Sequence, residues 1–184
     1  NLAKNGVDVS GVDVLEGVPS GLATIFVDEK DGTHKIVVSQ GANLKARQST
    51  IPDKFLDKDT ILLVQGELPM NETEALIVRA KTNGARTVMN FAPATQQLSR
   101  NLMNNLDVII LNEHEADLVG KMFEIQTHDK TAFGQELLAT FNVTTVITLG
   151  GVGSIVASPE GTYMVSPLNI NPIDTVGAGD AYTG

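Results

Sequence analysis

From Ile61 onward the chain repeats one unit, a short apolar strand followed by a helix-spaced segment. Ile61–Gln65 reads as the first strand. Residues 71–83 carry apolar side chains at helical spacing, with Asn71 and Glu74 as a cap pair and Gly84 as the stop. Residues 87–90, 107–111 and 144–149 read as further strands, and residues 98–104, 112–119 and 130–141 as helices between them. Short strands near 153–158 and 162–166 follow. Apolar strands alternating with helices predict an α/β fold, a mostly parallel central sheet flanked by helices on both faces. One segment breaks the pattern. Residues 21–28 and 33–40 alternate like strands around a polar, glycine-bearing turn at 29–32, which predicts a small β hairpin standing off the main body. The expected organisation is therefore an α/β core from 1–17 and 44–184, with a hairpin unit at 18–43.

Composition narrows the function classes. A length of 184 residues suits one domain with a real core. No apolar run reaches the ~18 residues of a membrane span. The net charge of −9 speaks against a nucleic-acid partner, which selects for a basic face. It leaves phosphate ligands open, because backbone amides and a metal ion can build such a site locally. With no cysteine, disulfides, thiolate metal sites and cysteine nucleophiles are excluded. The chain starts at Asn1 without methionine and stops at Gly184, just past a glycine-rich turn, so it reads as the central piece of a longer protein.

In open α/β sheets ligands collect beyond the carboxyl ends of the strands. Those ends deliver Gly66-Glu67, Asn90, Asn112-Glu113-His114-Glu115 and Thr148-Leu149-Gly150-Gly151. The densest signal is residues 174–184, Asp-Thr-Val-Gly-Ala-Gly-Asp-Ala-Tyr-Thr-Gly. Gly177, Ala178 and Gly179 let a ligand approach the backbone. If a helix begins there, its first amides and its positive end form an anion cradle. Asp180, in the same turn, can take a proton from a hydroxyl while those amides hold developing negative charge. Phosphoryl transfer needs that pairing.

Residues 174–184 resemble the second signature of the PfkB-type carbohydrate kinases, Asp-Thr-x-Gly-Ala-Gly-Asp followed by a small residue, an aromatic and glycine, with Tyr182 at the aromatic position. The resemblance runs through most of the chain and points to the ribokinase branch. The hairpin looks like that branch's lid, ending in Gly41-Ala42-Asn43, and Gln65-Gly66-Glu67 looks like its Gln-x-Glu. Asn90-Phe91-Ala92-Pro93-Ala94 is similar to Asn-Pro-Ala-Pro-Ala, with Phe91 a departure. Asn112-Glu113-His114-Glu115 matches Asn-x-x-Glu, and Thr148-Leu149-Gly150 matches Thr-Leu-Gly.

The resemblance implies a ribokinase-like fold and an ATP-dependent phosphotransferase acting on a sugar hydroxymethyl group, with ribose to ribose 5-phosphate first. Fructokinase, deoxyribokinase, nucleoside kinase and a catalytically silent truncated module of the same fold are the alternatives. By the same resemblance Asp180 is the base, and the amides of Gly177, Ala178 and Gly179 are the anion hole. Glu67 contacts the sugar. Thr148, Gly150 and Asn112 hold ATP, and Asn112 and Glu115 act on Mg²⁺ through water. Asp174 and Val176 hold a monovalent cation, K⁺. A cytoplasmic homodimer paired through the lid is implied too, with alternating positions Leu22, Thr24, Phe26 and Ile36, Val38 offered as the pairing face. A piece without the flanking segments is expected to be inactive alone.

Plainer explanations stand beside these. A lone aspartate near a helix start stabilises many helices without catalysing anything. Asn112 and Glu115 also form a capping box, and residues 71–74 have the same form with no chemistry in view. His34, His114 and His128 are scattered, and neither His-Glu-x-x-His nor a P-loop is present.

Overall fold

The computed structural model describes residues 2–27, 34–170 and 175–184, and in it the hydrophobic pattern resolves into two sheets. β1 (Leu22–Val27) and β2 (His34–Ser39) form an antiparallel pair, as the alternation predicts. The turn expected at 29–32 lies outside the described residues. Register corrects the expected pairing face. Thr24 stands opposite Val37 and Ala23 opposite Val38, so Leu22, Thr24 and Phe26 share a face with Val37. In register Ile36 pairs with Ile25 and Val38 with Ala23, positions of the other face. Each strand alternates, but the offset between them is set by pairing, which parity within one strand does not reveal.

The larger sheet has six strands in the order β3-β4-β5-β6-β7-β8. β3 (Ile61–Gln65), β4 (Arg86–Asn90), β5 (Val108–Asn112) and β6 (Thr144–Thr148) are parallel, and β7 (Ser154–Ser158) and β8 (Gly161–Val165) return antiparallel. Between the parallel strands run α1 (Met70–Thr82), α2 (Arg100–Asn104), α3 (Glu113–Phe123) and α4 (Lys130–Phe141). Strands laid down in sequence order with right-handed crossovers put these helices on one face. Val64, Met89, Ile109, Leu111, Ile147 and Ile155 point into that layer and meet Ile77, Leu102, Val119 and Leu137, all nearly or fully buried. Burying each such side chain contributes about 1.5–3 kcal/mol. Gly134 of α4 lets the helix sit close, since a Cβ there would stand 3.1 Å from that of Ala157. The opposite face carries α5 (Ala178–Thr183), which bonds to side chains of that face at the strand ends.

One local expectation changes. Asn71 and Glu74 do not cap α1. The helix starts one residue earlier, after Pro69, and no side chain of its own caps it. Instead Gln96 reaches over from the loop after β4. Its Oε1 accepts the Met70 amide at 3.0 Å, and its Nε2 donates to the carbonyls of Leu68 at 2.9 Å and Gly66 at 3.2 Å. A helix end satisfied from a distant segment leaves no mark in the local sequence. Phe91, the departure from the family pattern, is fully buried in the core.

Candidate active site

The site is built on the carboxyl ends of the parallel strands. Gln65, Asn90, Asn112 and Thr148 are the last residues of β3, β4, β5 and β6, and in the alternation of each strand they fall on the face that carries α5. α5 is laid across this polar row and tied to it at two points, with a third tie to Ser154 at the start of β7. Gln65 Nε2 donates to Asp180 Oδ1 at 2.8 Å, and Asn90 Nδ2 donates to Thr183 Oγ1 at 3.0 Å. The hydroxyls of Ser154 and Tyr182 lie 2.8 Å apart.

The turn into α5 depends on glycine. Gly177 caps the helix in the left-handed region, at φ 76°, where a side chain would be strained. Of the three amides expected to form an anion cradle, that of Ala178 is already used, donating to the Thr175 carbonyl at 3.1 Å. The amides of Gly179 and Asp180 are in the first turn, where a helix offers no i−4 acceptor.

A cleft of about 180 Å³ opens between this turn and the strand ends. Its lining includes Gly177, Ala178, Gly179 and Asp180 from the turn, Asn112 and Glu115 from the start of α3, and Thr148 from the end of β6. Seven of the expected residues thus converge. A second cleft of about 560 Å³ lies along β3 and holds Gln65, Glu67 and again Asp180. Gly150 and Val176 are not among the residues lining either cleft, and Asp174 lies outside the described residues. Asn90, offered by the sequence as a strand-end residue, lines the first cleft, whereas Gln65 and Thr183 join the site beyond the expected residues, Gln65 with its strand-end position as the signal.

Asn112 and Glu115 form a true capping box. Asn112 Oδ1 accepts the Glu115 amide at 2.8 Å, and Glu115 Oε2 accepts the Asn112 amide at 2.7 Å. The box does not exclude a role in the cleft, because both residues also line it. Burial raises the Glu115 pKa above its ordinary value, an effect partly offset by the Asn112 amide and by His114. A buried carboxylate at the edge of a cleft, with one oxygen held by a backbone amide, fits a hydrated Mg²⁺, which keeps most of its waters and takes few protein ligands. Among the described residues no three His, Cys, Asp or Glu side chains converge on one point. Gly66 holds the loop that carries Glu67. Its amide donates to the Ala92 carbonyl at 2.9 Å, and a Cβ there would stand 2.4 Å from the Pro93 carbonyl oxygen.

Among the described residues no helix is long and apolar enough to cross a membrane. The family model described as pfkB family carbohydrate kinase matches residues 1–184. A ribokinase of Schizosaccharomyces pombe is 30% identical over 190 residues, covering 100% of this chain and 59% of that protein. The crystal structure of a ribokinase from Thermotoga maritima superposes with a TM-score of 0.78 at 25% identity, over 90% of this chain and 54% of its own. A ribokinase from Cryptococcus neoformans, solved in complex with ADP, gives 0.72 at 25% identity, over 98% and 62%. The chain thus spans about 60% of the length of the yeast relative.

Proposed function

The chain belongs to the pfkB family of carbohydrate kinases, and on that premise we propose that the protein carrying it moves the γ-phosphate of ATP to a hydroxymethyl oxygen of a sugar, with ribose as the acceptor. One observation carries the reading: Asp180 lines both clefts at once. A carboxylate at that junction can touch an acceptor hydroxyl on the Glu67 side and face a phosphoryl group on the Asn112 side. The hydroxyl gives its proton to Asp180, and its oxygen forms a bond to the γ-phosphorus. The bond from that phosphorus to the bridging oxygen breaks, and its electron pair leaves with ADP. The amides of Gly179 and Asp180 meet the charge on the transferring group. No Lys or Arg lines the Asn112 cleft among the described residues, so a metal partner for the phosphates would supply the positive charge that the cleft lacks.

In this reading Asn112 and Glu115 hold the waters of Mg²⁺, which would supply charge neutralisation between the phosphates when bound. Thr148 and Gly150 serve the nucleotide, and Asp174 and Val176 a monovalent cation, K⁺. Ribose is favoured by the Gln65-Gly66-Glu67 segment and by relatives named ribokinase at about 30% identity. On this reading the protein works in the cytoplasm as a homodimer paired through the hairpin.

Steady-state kinetics of Asp180→Asn in the full protein tests the reading. A positioned general base contributes ~10²–10⁴ in rate, so kcat is expected to fall by that factor with nucleotide KM little changed. Near-normal turnover would remove Asp180 from the chemistry. The parent enzyme, assayed with ribose, deoxyribose, fructose and nucleosides, is expected to prefer ribose in kcat/KM.

A further inference from the structure

We infer that Gln65 is a positioning residue for the base: its side-chain amide fixes which carboxylate oxygen of Asp180 meets the acceptor. The inference rests on Asp180 being that base. α5 has six residues, none of them buried, so its own helical bonds hold Asp180 weakly. A carboxylate on such a helix can turn about its last torsion and present either oxygen. Gln65 removes that freedom. Its Nε2 lies 2.8 Å from Oδ1 across 115 residues of sequence, which leaves Oδ2 as the oxygen to take a proton.

The placement of Gln65 suits the task better than a loop residue would. It ends β3 and is paired in register with Asn90 of β4, so its backbone is set by a sheet ladder. Asn90, itself buried, ties Thr183 one turn further along α5. Neighbouring strands thus hold α5 at both ends of one helical turn, and Gln65 is the member that touches the reacting group. A neutral amide does this without a cation, whose charge would oppose protonation of the carboxylate during the reaction.

The test is a double-mutant cycle in the full protein, assayed with ribose and MgATP. Gln65→Met keeps the length of the side chain and removes the donor. It is expected to lower kcat about 10- to 100-fold, as small misplacements of a reacting group do, with nucleotide KM unchanged. In an Asp180→Asn background the same change is expected to cost nothing further, because it acts through Asp180. A Gln65→Met enzyme within about twofold of the parent in kcat, or one whose loss persists in full beside Asp180→Asn, would overturn the inference. A drop in turnover matched by a rise in nucleotide KM would do the same. If Asp180→Asn alone retains turnover, the reading of the base falls instead, so the two failures are separable. Should Gln65→Met not fold, Gln65→Glu keeps size and polarity and sets two carboxylates together; its kcat must then fall at least as far.

Discussion

At the scale of the residue, Glu115 shows how one side chain serves structure and site together. It closes the capping box of α3 and lines the cleft, and burial raises its pKa above the ordinary 4.5. For an acid shifted upward, ionisation costs stability. That cost is absent below the unfolded value and grows as pH rises through the folded one. Glu115→Gln removes the charge while keeping an oxygen for the Asn112 amide. Its thermal midpoint at pH 8 is therefore expected to equal or exceed the parent's, with any gain fading as pH falls toward 4.5. Scanning fluorimetry across that range checks this, and a lower midpoint at pH 8 would contradict it. The same substitution is expected to slow turnover, since the proposed site needs the charge. Before folding, residues 112–115 could be read only as a cap or a ligand pair. The structure shows that the two are compatible, because the cap's outer side is the wall of the cleft.

At the scale of the element, the hairpin is the part whose environment the chain itself leaves open. Its described side chains are exposed, Leu22 at 67%, Phe26 at 59% and Val37 at 61%, and the register sets those three on one face. An exposed apolar strand pair is a ready surface for a second copy. Sedimentation of the full protein at micromolar concentration is expected to show a dimer, and Phe26→Asp to shift it toward monomer; a clean monomeric parent would exclude pairing there. Elements were legible where the period was strong. Ile61–Gln65 falls on its short apolar run, and Lys130–Phe141 falls where helical spacing puts it, because Phe133, Leu137 and Phe141 bury one side of that helix. What spacing could not show was contact between distant segments. The start of α1 depends on Gln96, and the pairing face depends on strand offset. The glycine turn lay between. Its helix entrance was readable, but the Ala178 amide had already been taken by Thr175.

At the scale of the whole molecule, the fold class followed from strand–helix alternation, but which helices cover which face did not. Sequential strand order puts α1–α4 together on one face and leaves α5 at the strand ends of the other, where its bonds to Gln65, Asn90 and Ser154 create the boundary between two clefts. The proposed division of labour, acceptor on the Glu67 side and phosphates on the Asn112 side, comes from that placement. A crystal structure of the full protein with ribose, ADP, Mg²⁺ and a phosphoryl mimic would decide it. The acceptor hydroxyl should lie within hydrogen-bonding reach of Asp180, about 2.6–3.2 Å, with the mimic over the Gly179 amide and the nucleotide phosphates beside Asn112 and Thr148. A nucleotide lying along β3 beside Glu67, or an Asp180 carboxylate facing neither ligand, would contradict it.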